Sequence, residues 1–114
     1  MADCLFCKIV GGEIPATLVY QDDRMVAIKD INPQAPMHVL VIPRRHIASL
    51  NDLKPDDDGL VGEMNRRAAA LAKEHGYAAR GFRTVFNTGG ESGQTVLHIH
   101  LHVLAGRKLA WPPG

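Results

Sequence analysis

A chain of 114 residues with 46% hydrophobic and 22% charged content is long enough for one core and ordinary for a soluble globular protein. Its formal net charge of +1 gives no electrostatic reason to expect a nucleic-acid polymer or an anionic membrane as partner, and no apolar run approaches bilayer length. The start, Met1-Ala2-Asp3-Cys4, lacks the basic-then-apolar pattern of a secretory signal, so an intracellular, cytoplasmic protein with both cysteines reduced is expected.

Length predicts a single domain over residues 1–114. Asp3 to Ile9 reads as a short helix, with Asp3 as N-cap and Gly11-Gly12 as its stop. Leu18-Val19-Tyr20 and Met25-Val26-Ala27-Ile28 read as short strands joined by a hairpin turn at Gln21-Asp22-Asp23-Arg24. Asp30 to Pro36 is a loop stiffened by two prolines. His38-Val39-Leu40-Val41-Ile42-Pro43 is a β-branched apolar run, expected as a central strand buried on both faces and ended by Pro43. Pro55-Asp56-Asp57-Asp58 opens the one long predicted helix, whose inner stripe is Leu60, Met64, Ala68, Leu71 and His75, with Gly76 as the stop. Phe82 to Asn87 alternates as a strand, and Thr88 to Gly93 is a glycine-rich loop. The tail from Lys108 to Gly114 is not helical. The expected class is α+β: a mainly antiparallel sheet of about five strands, one long helix and a short N-terminal helix.

The chemistry concentrates in Gln94 to Leu104. His98, His100 and His102 alternate with Ile99, Leu101 and Val103. A strand turns successive side chains to opposite faces, so the histidines share one face, about 6.5 Å apart, and the aliphatics enter a core. A helix would scatter the same residues around its axis. Three imidazoles make a poor core, because each needs hydrogen-bond partners once buried. They suit a wet surface, a metal site, or an imidazole nucleophile that attacks phosphorus and later leaves. The last needs one ring nitrogen free, the other held by an acceptor, and donors around the phosphate oxygens. Gly89, Gly90 and Gly93 allow close approach of backbone amides, and Asn87, Gln94 and Thr95 add neutral donors. Cys4-Leu5-Phe6-Cys7, taken alone, leaves a redox pair, half a zinc site or two reduced thiols open.

His98-Ile99-His100-Leu101-His102-Val103-Leu104 resembles the signature of the histidine triad family, three histidines spaced by apolar residues. Phe6 to Ile9, Glu13 to Ala16, Asp30 to Pro36, Leu40 to Ile47 and Trp111-Pro112-Pro113-Gly114 resemble its Hint branch, so the likeness spans nearly the whole chain. The resemblance implies a homodimer whose sheets join, binding purine nucleotides and hydrolysing adenosine or guanosine 5′-phosphoramidates and acyl-adenylates through a nucleotidyl-histidine intermediate, releasing AMP or GMP. It implies His100 as nucleophile, His102 at the α-phosphate and the leaving side, His98 in a structural role, and His38 as support for the nucleophile's orientation. It further implies Asp30 at the ribose hydroxyls, Asn87, Gly93, Gln94 and Thr95 near the phosphate, and Leu5, Phe6, Ile9, Ile28 and Ile31 around the base. Trp111 would reach the partner subunit's site. Thr95 stands where such proteins commonly carry serine, and Ile28 where an aromatic is often found.

Bacterial members with a similar N-terminal Cys-x-x-Cys imply a structural zinc at Cys4, Cys7, His46 and His98, with no cofactor in the chemical step. Three other readings compete: a nucleotide-binding scaffold with little catalysis, a dinucleoside polyphosphate hydrolase, and a metal-handling protein. Against the second stands the Trp111-Pro112-Pro113-Gly114 tail.

Overall fold

The computed structural model describes residues 4–114. In chain order the helices and strands are α1 (Leu5–Val10), β1 (Leu18–Gln21), β2 (Met25–Lys29), β3 (Met37–Pro43), α2 (Asp58–Glu74), β4 (Phe82–Val85) and β5 (Leu101–Ala105). The strands form one sheet in the order β1-β2-β3-β5-β4, antiparallel at every pairing. The predicted sheet and both helices are therefore present.

β3 is buried at all seven positions because both of its faces are covered. Met37, Val39 and Val41 join Leu101 and Val103 of β5 beneath α2, whose Leu60, Met64, Ala68 and Leu71 point inward. Side chains of Leu or Met size contribute about 1.5–3 kcal/mol each when fully buried, so this layer carries most of the stabilisation. On the opposite face Leu40 and Ile42 pack with Val26, Ile28 and Phe6 of α1. The period of two places His38, between Met37 and Val39, on this second face. The two layers thus separate the main core from the histidine-bearing side.

Several expected boundaries move, each for a local reason. Asp3 lies outside the described residues, and the N-cap of α1 is Cys4, whose Sγ accepts the Cys7 amide N–H at 3.3 Å. Pro55–Asp57 forms a 3-10 turn, and α2 begins at Asp58. Asp57 is buried there, accepting from the Lys54 amide at 2.9 Å and pairing with Arg45. The Lys54 hydrogen bond and then Arg45 hold its carboxyl below the usual range. His75 is the exposed C-cap of α2, where Ala72 completes the inner stripe. Arg44 donates to the carbonyl oxygens of Asp22 and Val10, so the Arg44-Arg45 pair is bound to the fold.

The largest difference lies in the histidine segment. The ladder of β5 begins at Leu101, opposite Val41. Two residues earlier the strand would meet Pro43, which has no amide to donate. The Pro43 carbonyl is taken by the His98 ring, which donates from Nε2 at 2.8 Å. His98 and His100 therefore precede the strand, in a segment anchored where Ile99 N–H donates to the Ile47 carbonyl at 2.6 Å.

Gly106 fixes the far ends of β5 and β3. Its φ of +101° lies in the region glycine tolerates, and an added Cβ would stand 2.7 Å from Cβ of Pro36, the residue before β3. Gly106→Ala is expected to cost about 1–3 kcal/mol, seen as a lower midpoint in urea denaturation; an unchanged midpoint would contradict this packing.

Candidate active site and metal cluster

The second face of the sheet opens into a cavity of about 400 Å³. Leu5, Phe6 and Ile9 of α1 form one wall, and Ile28 and Ile31 another. Asp30, Asn87, Gly93, Thr95, His100 and His102 supply its polar margin. The residues expected around a base and around a phosphate thus border one space. Sequence reasoning missed Leu40 and Val96 in the lining, and the Ile14-Pro15-Ala16 connector that closes it. The alternation of β3 was the available signal for Leu40. Ile31 is 101% exposed and stands at the rim.

The Gln94 side chain, expected at the phosphate, lies elsewhere. It is committed to the main chain: Nε2 donates to the Ala48 and Val96 carbonyls and Oε1 accepts from Gly89 N–H. It braces the glycine loop and does not line the cavity. Trp111, expected to reach the partner subunit's site, is 81% exposed; the tail before it is held by Arg83, which donates to the Leu109 and Ala110 carbonyls.

The hydrogen bonds fix the imidazole tautomers. Nδ1–H of His100 donates to the His98 carbonyl at 2.8 Å, which leaves Nε2 without a proton when the ring is neutral. On β3, the Gln34 amide can only donate, and it points at His38 Nδ1 from 3.0 Å. The His38 proton is therefore on Nε2, which stands 2.9 Å from His102 Nδ1 and 3.3 Å from Asp30 Oδ2. His102 Nδ1 accepts, so its own proton is on Nε2. His100 and His102 thus carry opposite tautomers, with ring centroids 5.0 Å apart. The expectation that His38 orients His100 is corrected: His38 reaches His102, because β3 pairs with β5 and not with the segment carrying His100.

Asp30 Oδ1 accepts the Asn32 amide at 2.8 Å, a turn contact, while Oδ2 faces His38.

Burial lowers the affinity of all these rings for a second proton. It is the leading cause of the downward shifts at His38 and His100. His102 is pushed down to about 4, by burial first and then by neighbouring His100 and His38. These shifts favour the uncharged form of all three rings at neutral pH.

On the other side of Phe6 lies the cluster of Cys4, Cys7, His46 and His98, whose donor atoms all fall within 4.8 Å of one another. The Sγ of Cys4 is 3.4 Å from His98 Nδ1, and the Sγ of Cys7 is 3.3 Å from His46 Nδ1 and 3.5 Å from His98 Nδ1. The two imidazole nitrogens are 3.3 Å apart. A zinc tetrahedron with two sulfur and two nitrogen donors has edges of roughly 3.3–3.8 Å. The donor set also fits chemically. His98 spends its proton on Pro43, so its Nδ1 is bare, and the Cys7 thiol is pushed up by burial and then by Cys4, a setting that a bound cation would relieve. Asp30, His38 and His102 also gather within 4.8 Å, but they already satisfy one another by hydrogen bonds.

The family model described as "Scavenger mRNA decapping enzyme C-term binding" matches residues 3–109. A crystal structure of a HIT family hydrolase from Legionella pneumophila superposes with a TM-score of 0.97 at 52% identity, covering 98% of this chain and 100% of that one. The chain belongs to the histidine triad family. Purine nucleoside phosphoramidase of Escherichia coli is 44% identical over 107 residues, 94% of this chain and 90% of the relative. A zinc-bound histidine triad protein from Mycobacterium smegmatis gives a TM-score of 0.82 at 39% identity, over 96% of this chain and 81% of that one.

The lowered histidines make stability depend on pH with a definite sign. The unfolded chain takes up protons near the ordinary 6.5, the folded His102 only near 4. Its contribution is complete above about 6.5 and is lost as pH falls toward 4. Urea midpoints of the wild type should therefore fall between pH 7 and pH 4.5 more steeply than those of a folded His102→Gln variant. Parallel curves would show that His102 is not buried as a neutral ring.

Proposed function

We propose that this protein binds a purine nucleoside 5′-phosphate linked through phosphorus to an amine, or to an acyl group as in an acyl-adenylate, and hydrolyses that linkage through a nucleotide bonded to His100. The observation that carries the reading is the bare Nε2 of His100 at the wall of an apolar cavity, with Nδ1–H held by the His98 carbonyl. Such a ring is a neutral nucleophile in fixed aim. The similarity to the Escherichia coli phosphoramidase supports a phosphorus–nitrogen bond as the target.

In the first step His100 Nε2 bonds to phosphorus and the phosphorus–nitrogen bond breaks. The departing amine takes a proton from His102. That ring is neutral in the free protein, but a bound phosphate anion favours its charged form, so His102 takes up a proton at Nδ1 with the substrate, and the His38 Nε2–H it accepted is left to Asp30 Oδ2, 3.3 Å away. In the second step water attacks phosphorus, gives its proton to His102 and frees His100, releasing AMP or GMP. Asn87, Thr95 and the Gly93 backbone line the same margin and are assigned to the phosphate oxygens. Asp30 is assigned to the ribose hydroxyls, and Leu5, Phe6, Ile9, Ile28 and Ile31 to the base. No aromatic ring stacks from position 28, so base preference rests on shape.

We assign Cys4, Cys7, His46 and His98 to one structural zinc. Held by these four donors, a zinc would tie the first helix to the sheet and would supply a structural link, not a reacting water. The exposed Trp111 suits a homodimer in which each tail reaches the partner's cavity.

With adenosine 5′-phosphoramidate as substrate, a folded His100→Gly variant should lose at least about a thousandfold in kcat while calorimetry still detects AMP binding. Near-normal turnover in that variant would remove His100 from the chemical step.

A further inference from the structure

We propose that metal binding at the Cys4, Cys7, His46 and His98 cluster and nucleotide binding in the adjoining cavity are thermodynamically coupled, with Phe6 and His98 as the positioning residues that transmit the coupling. The proposal rests on the nucleotide reading above and goes beyond it, since neither a structural zinc nor a nucleotide pocket by itself requires that one ligand change the affinity for the other.

The two sites share their parts. α1 has six residues, far fewer than an isolated helix needs to persist in water. It supplies Cys4 and Cys7 to the cluster and Leu5, Phe6 and Ile9 to the cavity wall. Even its N-cap acceptor, the Sγ of Cys4, belongs to the donor set. Whatever orders the cluster orders the wall.

His98 joins the sites a second time. Its ring is 0% exposed, pinned by the Pro43 carbonyl on one nitrogen and aimed into the cluster with the other. Its own carbonyl receives the His100 Nδ1–H. A single peptide therefore relates the ring in the cluster to the aim of His100. Phe6 closes the circuit, with its ring edge-on to His98 at 6.1 Å and to His100 at 4.9 Å between centroids.

Ordering these shared elements costs conformational entropy once. A ligand at either site finds part of that cost already met by the other. Linkage then requires equal factors in both directions: nucleotide tightens metal as much as metal tightens nucleotide.

The test uses the zinc-loaded wild-type chain. Zinc affinity is measured by competition with a chromophoric chelator, with and without saturating AMP, and AMP binding to the zinc-loaded chain by calorimetry. AMP is expected to tighten zinc by roughly fivefold or more. In Phe6→Leu, which also alters the cavity wall, AMP should bind more weakly while one zinc still binds, and at saturating AMP the factor should fall toward one. AMP that binds without changing zinc affinity would overturn the coupling while leaving the nucleotide reading intact. A zinc-loaded chain that binds no AMP would overturn that reading and the proposal with it. Far-UV circular dichroism of the zinc-free chain is the control: complete unfolding would assign the linkage to global folding and overturn the role of Phe6 and His98.

Discussion

One hydrogen bond, from His100 Nδ1–H to the carbonyl of His98, organises this molecule. A neutral imidazole has a single ring proton, and the bond decides where it sits. Nε2 is then bare and faces the cavity side of the sheet. The acceptor is held in turn, because the His98 ring is buried and fixed by Pro43. Pro43 ends the central strand and has a carbonyl to spare. The aim of His100 thus traces back to the residue that stops β3.

Electrostatics and packing work in the same direction. A charged imidazole next to Phe6 and Leu40 would pay for its desolvation, so the rings stay neutral without any carboxylate to oppose them strongly. Asp30 tends to raise the pKa of His38, His100 and His102, and at each of them burial outweighs it. The shift at His102 therefore reports an apolar setting that a bound anion can reverse. A site of this kind holds its donor uncharged until a phosphate arrives.

Much of this was legible in the sequence, and the limits are instructive. Alternation placed Ile99, Leu101 and Val103 in the core and the histidines on the other face, because burial enforces the period of two. The end of the ladder was not legible, since it depends on Pro43 across the sheet. Nor was the partner of His38: spacing along β3 says which face it occupies, and only the register with β5 sets it against His102. Gln94 looked like a phosphate donor because its amide was free on paper; the fold spends it on Ala48, far away in the chain. Cys4 and Cys7 announced themselves by spacing, whereas His46 and His98 were candidates for the remaining two donors that the family resemblance supported. The fold explains their meeting: His46 follows the end of β3, and Ile99 N–H binds the Ile47 carbonyl, which brings the two histidines side by side.

The most direct test of the account is a long-range proton–nitrogen NMR correlation of the zinc-loaded protein, labelled with nitrogen-15 at histidine and recorded at neutral pH. His100 should show a protonated Nδ1 and a bare Nε2, and His102 the reverse, with both rings neutral. A protonated Nε2 on His100, or a charged imidazolium there, would contradict the hydrogen-bond network on which the proposed chemistry stands.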